Sequence, residues 1–256
     1  MSGPIDVAVD RRVAVCTIAD EEHRNSLGPE LAGILITALE DLDRDDAVGA
    51  IVITGSGDYF ATGPDLRAFA GPGQGPATDT AMASFWDRQR AIGKPLIAAV
   101  SGWALSTGCE LALACDLMVV ATDATFGLPE ITFGLIPGGG ATQRLTRVLG
   151  KQRAMELVLT GRRMSGKQAH EWGLANVIMG RRDVLEQAVM LAEQVAERPP
   201  LALRYAKRAI QAADDVGLAD GLERERELFA DALATEDRVE GVAALLEGRR
   251  PDFSGR

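Results

Sequence analysis

The sequence predicts an α/β fold, with parallel strands joined by helical crossovers and a helical region at the C-terminal end. Three observations predict it. Short apolar runs recur at residues 50–54, 96–100 and 117–121, the signature of buried strands. Helical patterns separate strands in the first half, which implies right-handed parallel crossover units. From Gly139 onward nearly every apolar residue falls at helical spacing.

The elements follow in order. Residues 5–9 and 13–18 read as two strands around the polar turn Asp10-Arg11-Arg12. Residues 29–42 place Leu31, Ile34, Leu35, Ala38, Leu39 and Leu42 on one helical face, with Ser26 or Gly28 near its start. The run at 50–54 lies between Gly49 and Gly55. Residues 71–76 are rich in glycine and proline; no lysine follows in phosphate-loop spacing, so they read as a mobile surface loop. No G-x-G-x-x-G follows a strand. Helices are predicted over 141–149, 152–159, 166–172, 184–196, 200–213, 218–234 and 237–247, with Pro199 and Pro200 marking a fresh helix start. These patterns divide the chain into an α/β core, 1–197, and a helical region, 198–256.

Composition narrows the function. The chain has 256 residues, 46% apolar, enough for a sizeable core. It contains no apolar run long enough to span a membrane. Met1 to Asp10 lacks the basic start and apolar stretch of a secretory signal, so a cytoplasmic location is expected. The net charge of -10 disfavours nonspecific nucleic-acid binding, though not a small anion held by a local arginine cluster. Cys16, Cys109 and Cys115 form no disulfide framework, and two histidines, His23 and His170, are a poor basis for a metal site.

Four segments hold candidate chemistry. They are Tyr59 to Leu66, containing Gly63-Pro64-Asp65; Gly102 to Leu111, containing Ser106-Thr107-Gly108-Cys109-Glu110; Phe126 to Ile131, containing Glu130; and Ile136 to Leu145, containing Gly138-Gly139-Gly140. The second follows a strand and opens a helix. N–H groups at a helix start have no partners inside the helix, so they suit a developing negative charge such as an enolate thioester oxygen. Glu110 falls one turn inside; a glutamate there also simply complements the helix dipole. Glu130, after Pro129 in an apolar stretch, is either an exposed loop carboxylate or the second member of an acid/base pair whose surroundings divide the roles.

In this order and at these intervals the segments resemble the enoyl-CoA hydratase/isomerase (crotonase) family, in particular its hydratase-like subgroup. The likeness runs from about Val7 to Arg256. It is carried by Cys109-Glu110-Leu111-Ala112 through Cys115-Asp116, by Ile136-Pro137-Gly138 through Thr142-Gln143-Arg144-Leu145, by Leu159-Thr160-Gly161, and by Ala169 through Gly173-Leu174. The resemblance implies a spiral core of repeated ββα units. It implies a helical C-terminal region that assembles homotrimers or homohexamers. It implies an acyl-CoA thioester as substrate, with no metal and no separate cofactor. Glu110 and Glu130 match the two glutamates that hold a water for addition across a 2,3 double bond, one of them protonating C2. Having both favours hydration over isomerase or other enolate chemistry. Gly63, Pro64, Asp65, Leu66, Thr107 and Gly108 match the oxyanion and substrate-binding segments, and Arg24 and Ser26 match a region of CoA contacts. Phe126 to Ile131 and Pro251 to Arg256 resemble hydratases of aromatic-acid degradation.

Two positions depart from the family. Its members hold the thioester oxygen with two backbone N–H groups, and one position falls on Pro64, which has none. The other falls on Thr107, usually glycine or alanine, whose branched side chain narrows the pocket. Either another group replaces the lost donor, or the reaction has drifted, or the protein binds acyl-CoA with weak turnover.

Overall fold

The computed structural model describes residues 3–70 and 80–256; the glycine- and proline-rich segment 71–76 lies outside them. β1 (Ile5–Asp10) and β2 (Val13–Ile18) pair antiparallel, with Asp10 opposite Val13. The turn between them places Arg11 and Arg12 both at positive φ, 44° and 66°, which matches the twist of a two-residue hairpin. α1 (Pro29–Arg44) starts with proline in its first turn and buries Leu31, Leu35, Leu39 and Leu42. Its inward face differs from the pattern in one respect: Ile36 is buried, and Ile34 is 40% exposed.

The chain then spirals. β3 (Ala50–Gly55) is followed by β4 (Tyr59–Ala61) and α2 (Thr80–Ala91). β5 (Leu96–Val100) is followed by β6 (Trp103–Leu105) and α3 (Thr107–Ala114). β7 (Leu117–Ala121) is followed by β8 (Thr125–Gly127). The first strand of each unit joins a six-stranded sheet, ordered β1-β2-β3-β5-β7-β10. The second joins a four-stranded sheet, ordered β4-β6-β8-β9. β3, β5 and β7 run parallel, as do β4, β6 and β8. The expected ββα spiral is therefore present. The second strand of each unit has only three residues, too few to show an alternation in the sequence.

Past Gly139 come α4 (Ala141–Leu149), α5 (Lys151–Thr160), β9 (Met164–Ser165), α6 (Gly166–Glu171), β10 (Val177–Met179) and α7 (Val184–Ala196). The near-continuous helical reading is thus interrupted twice: β9 closes the small sheet antiparallel to β8, and β10 extends the large one parallel to β7. α7 covers the large sheet, presenting Val184, Ala188, Ala192 and Ala196 to it. α8 (Pro200–Ala212), α9 (Leu218–Leu233) and α10 (Glu236–Glu247) complete the chain. α8 is fastened to the core by Lys207, whose ammonium lies 2.7 Å from Asp116 and donates to the Lys94 carbonyl at 2.9 Å. Lys207 is half-buried and Asp116 exposed, so this pair fixes geometry more dependably than it adds stability.

Candidate active site

Strand pairing in the small sheet brings the two glutamates together. Leu105 of β6 sits opposite Gly127 of β8 in parallel register, so the chain leaves both strands at the same edge. Beyond Leu105, Ser106 turns into α3 and Glu110 lies in its first turn. Beyond Gly127, Leu128 leads into a 3-10 turn, Pro129–Phe133, that carries Glu130.

The first turn of α3 lies hard against β4. A Cβ on Gly108 would come within 2.0 Å of the Ala61 carbonyl oxygen, so no larger residue fits without moving backbone. This contact sets the helix start beside the Gly63–Pro64 loop. Thr107, at the first helical position, is 8% exposed. The loop is held from the other side: the Ser26 hydroxyl donates to the Gly63 carbonyl at 2.9 Å, and the Thr62 hydroxyl to the Arg24 carbonyl at 3.1 Å. Ser26 therefore spends its hydroxyl on the loop, while the Arg24 side chain is exposed. Asp65 accepts from the Arg67 N–H at 2.9 Å and pairs with its guanidinium, capping the turn that begins at Leu66. Leu66 is 54% exposed.

Glu110 is 3% exposed. Its Oε1 accepts from the Gly139 N–H at 2.7 Å and the Ala141 N–H at 3.1 Å, at the start of α4. Burial raises its pKa to about 7; those two N–H groups and the Arg144 charge pull the other way, and the charge of Glu130 adds to the rise. A carboxyl poised there can take or give a proton near neutral pH. Arg144 also donates to the Gly139 carbonyl at 2.7 Å, so it fixes the residue that fixes Glu110. The six-membered ring of Trp86 and the Oε2 of Glu110 both come within 2.6 Å of the point where a Gly139 side chain would begin. Trp86 therefore forms an apolar wall beside this carboxyl.

Glu130 is 6% exposed, and its pKa too is raised by burial, with the Ser106 hydroxyl and its own N–H opposing the rise. Its Oε2 is buried without a hydrogen-bond partner. A buried carboxylate oxygen left without a donor is costly unless a proton, a water or a ligand meets it. Burial pushes up the Cys109 thiol, and the charges of Glu110 and Glu130 add to the rise.

The structure thus brings together Glu110, Glu130, Thr107, Gly108, Gly63 and Pro64, and leaves Arg24, Asp65 and Leu66 on the exposed rim. Trp103, at the start of β6, is half-buried with Arg163 stacked 4.7 Å from its ring centroid. Nothing in the sequence pattern marks Trp86 as part of the site, and Ser106, Gly139 and Ala141 lie inside the candidate segments without a role that the pattern assigns them. The triple-glycine run was the signal for the last two, because such a run brings backbone close to another group. In the tail after α10, Arg249 pairs with Glu240 and Glu247. Among the described residues no cluster of three acidic, histidine or cysteine side chains is placed to hold a metal ion.

A spiral of ββα units with two buried carboxylates beside a helix start defines a crotonase-fold protein. The chain belongs to the enoyl-CoA hydratase/isomerase family, whose profile it matches over residues 9–256. It is 43% identical over 250 residues, 98% of each chain, to a 2,3-dehydroadipyl-CoA hydratase of Escherichia coli strain K12. It is 41% identical over 229 residues to the mitochondrial enoyl-CoA hydratase of Pongo abelii, covering 90% of this chain and 79% of the other. The crystal structure of an enoyl-CoA hydratase from Bacillus anthracis superposes with a TM-score of 0.93 at 35% identity, covering 99% of this chain and all of that one, 100%.

Proposed function

We propose that the protein hydrates a 2-enoyl-CoA thioester to a 3-hydroxyacyl-CoA, with Glu110 and Glu130 as the acid/base pair. The observation that carries this is the pair of buried carboxyls converging beside the start of α3, each raised by burial and one with an unpartnered oxygen. The water oxygen bonds to C3 as one glutamate takes its proton. The π electrons move toward the thioester oxygen, and the other glutamate delivers a proton to C2. The sum is one water added across the double bond, with no redox change and no cofactor beyond the CoA that the substrate carries. The N–H groups opening α3 are aimed where the enolate charge develops. Among the relatives, the one named for a 2,3-dehydroadipyl-CoA substrate makes a dicarboxylic enoyl-CoA a natural member of the substrate panel.

Steady-state hydration of an enoyl-CoA panel, followed by loss of the enoyl absorbance, tests the reading. Glu110→Gln and Glu130→Gln should each abolish turnover; a folded variant keeping most of its activity disqualifies that residue. One observation favours a second reading, acyl-CoA binding with weak catalysis. Pro64 supplies no N–H at the loop facing Thr107, and the loss of one such donor typically costs roughly 100- to 1000-fold in rate.

The helical region from residue 198 is read as the oligomerisation surface of a homotrimer or homohexamer. Leu218, Leu245 and Leu246 are 80%, 81% and 82% exposed in the single chain, an apolar surface that suits burial against further copies. Arg24, at the rim, is read as a contact for a CoA phosphate. The three free cysteines fit a reducing, cytoplasmic setting, and no helix among the described residues is long and apolar enough to cross a membrane.

A further inference from the structure

We infer that the arginine-lined cleft where α2, α8 and α9 meet is a subsite for a carboxylate at the far end of the acyl chain, so that the preferred substrate is a 2-enoyl-CoA whose chain ends in a carboxylate. The inference rests on the reading of Glu110 and Glu130 as the acid/base pair of a hydratase, and deepens it.

The composition left room for a small anion held by a local cluster of arginines, and this cleft carries one. It measures about 320 Å³ and is lined by Asp87 and Arg90 of α2, Arg208 of α8, Asp215, and Arg224 and Leu228 of α9. Its arginines outnumber its aspartates by one, on a chain whose net charge is -10. Arg90 already binds a carboxylate, that of Asp215, at 2.5 Å. Arg208 and Arg224 make no ion pair and no side-chain hydrogen bond among the described residues, so their planar guanidinium groups are free to take another. Ala212 and Leu228, which also line the cleft, are buried and apolar. An apolar floor with a few cationic groups above it suits methylene groups that end in a carboxylate.

The cleft adjoins the far side of the site. Trp86 walls the Glu110 carboxyl. Arg90 follows Trp86 by four residues on α2, about 40° round the helix and about 6 Å along it. Arg90 therefore shares the face that Trp86 turns to the carboxyl, and it also lines the cleft. On the other flank, α4 carries Ala141, whose N–H holds Glu110, and Arg147, which lies 3.3 Å from Asp214. Asp214 and Asp215 thus bridge the two helices that flank Glu110. With the thioester oxygen at the start of α3 and with C2 and C3 at the glutamates, the acyl chain runs on away from the Gly63 loop, toward Trp86 and Arg90.

Hydration of two matched pairs of 2-enoyl-CoA thioesters tests this, with chains of six and of eight carbons that end in either a methyl or a carboxylate group. Both members of a pair carry the same CoA, so the ratio of their kcat/KM values reads the chain end alone. We expect the parent to favour the carboxylate end by roughly tenfold or more in at least one pair, the scale of a hydrogen bond to a charged group. That preference should shrink as salt is raised, because Arg208 and Arg224 are exposed. The double variant Arg208→Gln, Arg224→Gln should lower the ratio roughly tenfold, mainly through the KM of the carboxylate-ended substrate, and Arg208→Glu, Arg224→Glu should lower it further. Arg224→Gln alone stands in should a double variant not fold. A parent that shows no preference in either pair overturns the inference and leaves the hydratase reading intact. So does a preference that the folded glutamine variant keeps, and so do equal ratios in the glutamine and glutamate variants, which assign these arginines to packing. A parent that hydrates none of the four thioesters overturns the reading of the site and the inference with it.

Discussion

Glu110→Gln should make the folded protein more stable at pH 8 while removing its catalysis. The magnitude follows from the site. A carboxyl whose ordinary pKa is 4.5 is pushed by burial to about 7 in the folded chain. Ionising it there costs roughly 3 kcal/mol more than in the unfolded chain. The sign is that of a buried acid. Between pH 4.5 and about 7 the folded state holds the proton and the unfolded state has released it, so stability falls as pH rises through that window. Below the window both states are protonated and Glu110 costs nothing; above it the full penalty applies. Glutamine cannot ionise, yet its amide oxygen still accepts the Gly139 and Ala141 N–H groups that Oε1 accepts now. The difference in unfolding free energy between variant and parent should therefore grow from near zero at pH 4 to about 3 kcal/mol at pH 8, in favour of the variant. Urea unfolding of both proteins at equal concentration across that range measures it, since any assembly contributes to apparent stability. A difference that stays flat with pH, or a variant less stable than the parent at pH 8, refutes the placement of Glu110 as a desolvated, poised acid.

Two further predictions follow from other parts of the chain. Pro64→Ala restores a backbone N–H; every described peptide is trans and Ser26 holds the Gly63 carbonyl, so that N–H points to the side away from Ser26. If the missing donor limits the rate, crotonyl-CoA hydration should rise by as much as roughly 100-fold, and unchanged or lower turnover in a folded variant removes that explanation. If the proposed trimer or hexamer forms through this surface, replacing the exposed Leu245 and Leu246 together with aspartate should reduce the solution mass read by light scattering; an assembly of unchanged mass shows that this surface is not the interface.

What the sequence determined by itself is local and periodic. The apolar runs at β3, β5 and β7 were legible because strands buried on both faces read as unbroken apolar stretches, and the helical faces of α4 and α7 because one-sided burial imposes a period of 3.6. The two glutamates, the missing N–H of Pro64 and the family were legible as residue types in ordered segments. The tertiary structure decided what depends on neighbours remote in sequence. The strands β4, β6 and β8 span three residues each, too few to show an alternation, and they exist because the spiral lays one beside the next. That pairing sets Leu105 beside Gly127 and so makes Glu110 and Glu130 one site. The poise of Glu110 comes from burial, opposed by backbone N–H groups 29 and 31 residues further along the chain, and the positive φ of Ser106 is held with its N–H on the Gly127 carbonyl and its side chain against Gly63. Proton affinity and backbone strain are set by what surrounds a residue in space, and a pattern along the chain carries no record of that.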